Sequence, residues 1–164
     1  SDMTGEVVLD FRLVPIDPIY ADDHRRLDSV GVSTIEYHLF HGIVTFRIGD
    51  VEFGLRVPIP VVEFARCMLW LARQRFSGLG NSFEFTEGEG EIFFDMVAPG
   101  VVSVRCDYHE EQAQVSALEL HEASLAFARR VLDMLRSDFP DILENQEFID
   151  WFLPLLEADR DRFH

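Results

Sequence analysis

The sequence predicts an α+β fold in which one antiparallel sheet of about seven to eight strands packs against helices. Two groups of short segments alternate apolar and polar residues with a period of 2, which is typical of half-buried strands. The breaks within each group are too short for the crossover that parallel strands need. A period of 3.6 occurs once in mid-chain and twice near the C-terminus. We therefore expect one helix inserted mid-chain and two C-terminal helices packed on the sheet.

The first group of strands begins near residue 7, after a short polar segment. A long irregular connection from residue 15 to 33 follows the first strand, and residues 21–28 within it are a candidate short helix. His41-Gly42 and Gly49-Asp50 then interrupt a meander, and both breaks are short enough for hairpins. The expected strands lie at residues 7–13, 35–39, 44–48 and 51–57.

A helix is expected from about residue 60 to 76, because Pro60 suits a first helical turn and apolar residues then recur at helical spacing. The second helix is expected at 122–137. Asp141-Ile142-Leu143-Glu144 resembles a capping box that opens the third helix, and Pro154 is expected to kink it. Between the first two helices, strands are expected at residues 83–85, 92–96, 102–106 and 115–120.

Length and composition favour a single globular domain over residues 1–164, with Ser1 and Asp2 interpreted as a tag remnant. The chain is 48% hydrophobic, which is too apolar for a disordered protein. Its two cysteines, Cys67 and Cys106, lie in apolar surroundings and are expected to be buried free thiols, which suits the cytoplasm. No apolar run approaches the roughly 20 residues of a membrane helix, so we expect no membrane association.

The net charge of −16 and a pI near 4.6 restrict the class of partner. Nucleic-acid binding requires a basic surface, and this acidic chain would repel both a polyanion and an anionic membrane. The charge instead favours a basic protein partner.

We expect no catalytic residue, no metal site and no cofactor, and hence no enzyme activity. His38 and His41 would point to opposite faces of a strand, without further ligands at zinc spacing. The run 107–111 offers a carboxylate and an imidazole, but it lies where polar hairpin loops are common. The motifs of hydrolases, zinc proteases, phosphate-binding loops and redox cysteine pairs are absent from the sequence.

Two acidic segments are candidate partner-binding sites. In one, glutamates alternate with glycines across a turn; in the other, aspartates lie in the long early connection. Tyrosines in polar loops are candidate interface anchors. The alternative interpretation is that these are solvated loops that keep an acidic protein soluble. The candidate residues are Glu87, Glu89, Glu91, Asp17, Asp22, Asp23, Tyr20 and Tyr108.

The central part of the chain, residues 43–140, resembles the WapI-type immunity proteins and related small bacterial domains. The resemblance is a pattern of apolar positions, glycines and a final Phe-Pro. The segments that carry it are Val51-Glu52-Phe53-Gly54-Leu55, Val62 to Leu71, Phe83-Glu84-Phe85, Glu91-Ile92-Phe93-Phe94, Gly100 to Val104, Ser124 to Leu135 and Phe139-Pro140.

This resemblance implies a cytoplasmic inhibitor that protects its cell by binding the C-terminal domain of a polymorphic toxin. The family offers no catalytic residues to carry over to this chain. The alternative function is a non-catalytic structural or regulatory adaptor, or a homodimer joined through the second and third helices, whose acidity serves solubility. The sequence does not specify the oligomeric state.

Overall fold

The computed structural model describes residues 5–77, 81–86 and 90–162. Over these ranges the protein has the predicted α+β class, with eight strands and five helices. The strands form two antiparallel sheets of four strands each, which corrects the expected single sheet of about seven to eight strands. Ser1 and Asp2, interpreted above as a tag remnant, lie outside the described residues.

The first sheet is built around one long central strand. Strand β2 (His41–Ile48) pairs from Gly42 to Ile48 with the whole of β1 (Val7–Leu13). Its other side is shared by two short strands, β3 (Val51–Glu52) at one end and β4 (Ile59–Pro60) at the other. The predicted hairpin between β2 and β3 is confirmed, and Gly49 in its turn has a φ of 59°, which glycine adopts without steric cost.

The second sheet is a meander in which each strand pairs with its neighbour in sequence. Apolar residues that point inward on its two central strands are buried, as the alternating pattern predicted. The first and last strands of the meander are its edges. The four strands are β5 (Asn81–Glu84), β6 (Glu91–Ala98), β7 (Val101–Cys106) and β8 (Ala113–Ser116).

Three long helices and two short ones pack with the sheets. Short 3-10 turns span Pro18–Tyr20 and Pro140–Glu144. Within the described ranges, no helix has both the length and the apolar character needed to cross a bilayer. The helices are α1 (Ala21–His24), α2 (Val32–Thr34), α3 (Val61–Arg73), α4 (Ala117–Asp138) and α5 (Gln146–Arg162).

The strand expected at 35–39 is wrong, because this segment continues α2 as a π-helical turn, Ile35–Leu39. Ile35 and Leu39 are both buried, and their spacing of four residues is that of one helix face. Over the five residues 35–39, the apolar positions fit both the period of 2 of a strand and the period of 3.6 of a helix. Packing against the core favours the helical conformation.

Two predicted helix starts are also corrected. Helix α4 begins at Ala117, where the Ser116 side chain accepts a hydrogen bond from the backbone N–H of Glu119. The expected strand at 115–120 therefore ends at Ser116. Residues 140–144 form a 3-10 turn, and α5 begins only after Asn145, whose Oδ1 accepts from the Phe148 N–H at 3.1 Å. Asn145, not the predicted capping box, caps α5.

The strand expected at 51–57 ends after Glu52 for a local reason. Glu52 Oε2 accepts hydrogen bonds from the backbone N–H groups of Phe46 and Gly54, both at 2.9 Å. The carboxylate thus satisfies donors that a longer strand would pair. The chain also passes very close to β2 here, because a Cβ on Gly54 would lie 2.3 Å from the Val44 carbonyl oxygen.

Aromatic residues from both sheets meet in one continuous core. Phe46 of the first sheet stacks on Phe94 of the second, with ring centroids 6.3 Å apart. Phe64 of α3 packs edge-on against Phe83 of β5 at 5.1 Å and Phe127 of α4 at 5.6 Å. Helix α3 is thereby held against β5 and α4.

Candidate functional site

The polar face of α3 forms one wall of a surface cavity of about 360 Å³, called here the acidic groove. Edge strand β5 and the π-helical turn form the remaining walls. The groove combines charged, aromatic and thiol side chains, and its volume lies at the lower end of the range of ligand sites. The lining residues are Glu36, Tyr37, Glu63, Arg66, Cys67, Trp70, Ser82, Phe83 and Glu84.

Helix α3 supplies four of these side chains because of their spacing. Glu63, Arg66, Cys67 and Trp70 follow one another at i, i+3, i+4 and i+7, which places them on one helix face. Trp70 is 48% exposed although it is one of the largest apolar side chains in the chain. An exposed tryptophan on an otherwise polar helix face is typical of an interaction site.

The π-helical turn contributes Glu36 and Tyr37 to the opposite wall. Segments with this wider hydrogen-bond pattern occur often at functional sites. Glu36 accepts a hydrogen bond from Tyr37, and this bond is the main reason that the pKa of Tyr37 rises to about 12. The phenol therefore stays protonated at neutral pH.

The groove has a net negative charge because three glutamates and a single arginine line it. Arg66 Nε donates to the Trp151 carbonyl at 3.2 Å, and the guanidinium carbon lies 4.4 Å above the Trp151 ring. Burial lowers the pKa of Arg66. The carboxylates of Glu36, Glu63 and Glu84 outnumber this one cation by three to one.

The groove's thiol does not suit nucleophilic chemistry. Burial, reinforced by the nearby Glu63 carboxylate, raises the pKa of Cys67 to about 12, so the reactive thiolate is scarce at neutral pH.

The free cysteines expected from the sequence are present at Cys67 and Cys106. Among the described residues, no group of three or more histidine, cysteine, aspartate or glutamate side chains is arranged to hold a metal ion. The arrangement is best suited to attracting a cationic side chain.

The glutamate turn proposed from the sequence is described only in part. Glu87 and Glu89 lie outside the described residues. Glu91 begins β6, and its Oε2 accepts a hydrogen bond of 2.6 Å from Ser82 Oγ, beside the acidic groove. Glu63 Oε2 accepts a 2.5 Å hydrogen bond from Thr86 Oγ1, just before the turn. Thr86 and Glu91, the described residues on either side of residues 87–89, therefore both lie beside the acidic groove.

The aspartates of the early connection are engaged locally. Asp17 caps the first 3-10 turn by accepting from the Ile19 N–H at 3.1 Å. Asp22 pairs with Arg25 at 2.9 Å and Asp23 with Arg26 at 3.5 Å. These arginines offset two of the three carboxylates, which makes this segment a weaker attractor of cations than the groove.

The two candidate tyrosines have different surroundings. Tyr20 stacks on exposed His38 with centroids 5.1 Å apart, and its hydroxyl lies 3.2 Å from His38 Nδ1. Tyr108 is half-buried, its hydroxyl donates to the Phe53 carbonyl, and burial raises its pKa. Gly90 packs on the Tyr108 ring so closely that a Cβ there would lie 2.6 Å from Cδ1. Tyr108 thus has an intramolecular role, whereas Tyr20 lies nearer the surface.

His24 makes the stability of the early connection depend on pH. Its Nε2 donates to the Leu39 carbonyl at 3.0 Å, and buried Nδ1 has no hydrogen-bond partner among the described residues. Burial lowers the pKa of His24 below 6.5, so the unfolded chain binds the proton more tightly. This contribution to stability is present above pH 6.5 and is lost as the pH falls toward the lowered pKa.

Urea unfolding at pH 7.5 and 5.5 tests the role of His24. Between these two pH values, the free energy of unfolding should fall more for the parent than for His24→Gln. An equal fall in both proteins would contradict the role of His24.

Comparison of the chain with protein-family models, curated proteins and solved structures finds no match.

Sequence analysis missed the groove because its walls come from three separate segments. Glu36 lies in the segment expected to be a strand, whereas Glu63 and Arg66 lie in the helix expected at about residues 60–76. One signal could have revealed the site: Trp70 follows Glu63, Arg66 and Cys67 on the polar side of α3, where a large aromatic residue is unexpected.

Proposed function

We propose that this protein is a non-catalytic inhibitor that binds a basic protein domain and occludes its active site. The observation that carries the proposal is the acidic groove, where three glutamates surround a cavity beside exposed Trp70. Such a groove suits an arginine or lysine side chain, because carboxylates and the face of an indole ring both attract cations. The groove would hold one such side chain of the partner.

The choice of a bacterial toxin domain as the partner rests on the resemblance of residues 43–140 to the WapI-type immunity family. Toxin domains that cleave nucleic acid are commonly basic around the active site, so an acidic inhibitor would cover the surface that the substrate needs. The net charge of −16 would also steer the two proteins together and speed their association. We place this encounter in the cytoplasm.

The alternative is an adaptor or a homodimer joined through α4 and α5. Homodimer interfaces are more apolar than the rest of a protein surface. Along α4, by contrast, most exposed positions are charged, and Leu118 is an isolated exposed apolar side chain. This composition favours the inhibitor over the helix-joined dimer. The exposed charged residues of α4 are Glu119, Glu122, Arg129, Arg130, Asp133, Arg136 and Asp138.

Replacing the three groove carboxylates tests the proposal. The variant Glu36→Gln/Glu63→Gln/Glu84→Gln should bind the toxin domain proposed as its partner at least about tenfold more weakly, because desolvated charge pairs contribute more than exposed ones. Binding constants and protection of toxin-expressing cells measure the effect. Raising the salt concentration should slow association of the parent more than it speeds dissociation.

The matched control is Glu110→Gln/Glu111→Gln/Glu144→Gln, whose side chains are exposed and outside the groove. Both triple variants change the net charge by three, from −16 to −13. The control should bind almost as tightly as the parent. Equal weakening of both variants would show that only overall charge matters, and unchanged binding of the first would exclude the groove.

A further inference from the structure

Strands β5 to β8 form a sheet with one face on the core and the other turned away from it. Successive side chains of a strand point to opposite faces, so buried Ile92 and Phe94 mark the inner face of β6. Phe93 and Asp95 therefore lie on the opposite side, called here the outer sheet face. The register places outward residues of the neighbouring strands beside them. The outer sheet face includes Glu84, Glu91, Phe93, Asp95, Val101 and Arg105.

The outer sheet face is uncovered in the part of the chain that the structure describes. None of its six named side chains is buried, as they would be beneath a helix or a second sheet. Phe93 and Val101 lie outside the continuous core, and Val97 at the β-bulge of β6 is 53% exposed. Outward positions of a half-buried antiparallel sheet are normally polar. An aromatic side chain at such a position is typical of a surface that contacts another protein.

Arg105 shows which chemical group this face binds. Its guanidinium carbon lies 4.3 Å above the Phe93 ring, and its Nε lies 3.4 Å from Asp95 Oδ2. The ring and the carboxylate together hold one arginine side chain. The side chains of Arg105 and Asp95 are 50% and 44% exposed, and ion pairs this exposed contribute little to stability. An arginine of another protein could therefore replace Arg105 at small cost.

The outer sheet face continues into the acidic groove. Glu84 belongs to both surfaces, and Ser82 Oγ in the groove donates to Glu91 Oε2 on the face. The carboxylates of Glu84, Glu91 and Asp95 outnumber Arg105, which is the one cation among the described outward residues of the sheet. The groove and the face thus form one continuous surface of negative charge.

We infer that the outer sheet face is a docking surface for the basic partner protein, with the acidic groove at its edge. This inference rests on the proposed function for the charge of the partner and adds the surface that binds it. Phe93 and Val101 would contact apolar side chains of the partner, while the surrounding carboxylates pair with its arginines or lysines. A second copy of the chain fits less well, because both copies would bring negative charge to the interface.

Methyl NMR of the full-length protein tests the location of the surface. The probe is a blocked nonapeptide of alternating arginine and tryptophan, added to protein labelled with ¹³C at its valine methyl groups. The signals of Val97 and Val101 should shift on binding. Those of Val57, which is 48% exposed and belongs to neither surface, should not. Shifts confined to Val57, or no binding at millimolar concentration, would overturn the inference.

Two arginine substitutions give a test in which the affinity should rise. Arg105→Gln removes the cation from the face and frees Asp95, so the peptide should bind at least about threefold more tightly. Arg136→Gln is the matched control, because it also removes one positive charge and breaks an exposed ion pair, the 3.5 Å contact with Asp133 on α4. The control should bind almost like the parent. Equal affinities of the two variants would contradict docking on the outer sheet face.

Phe93→Ala tests the apolar contact. It should weaken peptide binding at least about fivefold, because buried aromatic anchors contribute most at protein interfaces. Ile19→Ala changes a side chain that is 75% exposed and outside the second sheet, and it should leave the affinity unchanged. Thermal unfolding verifies that both variants fold. Loss of a dimer in Phe93→Ala would identify a second copy as the occupant and overturn the inference.

A last comparison separates this inference from the proposed function. Glu36→Gln/Glu63→Gln changes the groove and leaves the outer sheet face intact. If this double variant bound the peptide more weakly while Phe93→Ala and Arg105→Gln bound it like the parent, the outer sheet face would be excluded. The proposed function would then stand, with the groove as its binding site.

Discussion

Replacement of Asn145 by alanine is expected to lower the free energy of unfolding by about 3 to 5 kcal/mol. Asn145 is buried, and its Nδ2 donates to the carbonyls of Leu27 at 2.9 Å and Val30 at 2.8 Å. Its Oδ1 accepts from the Phe148 N–H and caps α5. Alanine would leave two buried carbonyls and one helix N–H without partners, and each unsatisfied buried group costs about 1 to 3 kcal/mol.

Thermal and urea unfolding measure this loss. For a chain of this size the melting temperature should fall by roughly 10 °C. Asn145→Asp keeps the acceptor for Phe148 but replaces the donor to Leu27 and Val30, so it should be nearly as destabilising as alanine. Gln146→Ala changes an adjacent exposed side chain and should cost under about 0.5 kcal/mol. A stable Asn145→Asp variant would show that the helix cap alone matters.

The same contacts connect the start of α5 to the acidic groove. Leu27 and Val30 immediately precede α2, and the Val32 N–H donates to Glu147 Oε1 at 3.0 Å. Helix α2 continues directly into the turn that carries Glu36 and Tyr37. The first turn of α5 thus holds one wall of the groove in place, so Asn145 variants should also bind the proposed basic partner more weakly.

The elements that could be predicted are those whose periodicity is long and is matched by their packing. Strands β6 and β7 alternate buried and exposed residues, and both were predicted close to their observed bounds. Helix α3 was predicted because most of its apolar residues recur at helical spacing and face the core. In these segments, local pattern and tertiary environment favour the same structure.

The division into two sheets and the composition of the groove depend on contacts between distant residues. Alternation shows which face of a strand is buried, but it does not show which strand lies beside it. For this reason the four strands after α3 were joined to the first sheet in the prediction. The groove depends on the same kind of information, because Glu36, Glu63 and Glu84 meet only after α3 packs between β5 and the π-helical turn.

The junction between the two sheets depends on the short segment that begins at Glu52. Glu52 Oε2 accepts from the Phe46 and Gly54 N–H groups, both at 2.9 Å. On the other side of this segment, His109 Nε2 donates to the Glu52 carbonyl at 2.8 Å, and the Tyr108 hydroxyl donates to Phe53. The carboxylate therefore holds the backbone in the position where the β7–β8 loop of the second sheet reaches it.

Glu52→Ala is expected to destabilise the fold by about 2 to 4 kcal/mol, because hydrogen bonds to a charged group contribute about 1.5 to 3 kcal/mol each. Glu52→Gln keeps an oxygen acceptor and loses only the charge, so its cost should be about 1 kcal/mol. Asp50→Asn, an exposed carboxylate in the neighbouring turn, serves as the control and should melt like the parent. Urea unfolding with amide exchange at Phe46 and Gly54 measures the effect. If the alanine and glutamine variants were both as stable as the parent, the two backbone donors would not need the Glu52 oxygen. The sheet junction would then be held by Tyr108 and His109 alone.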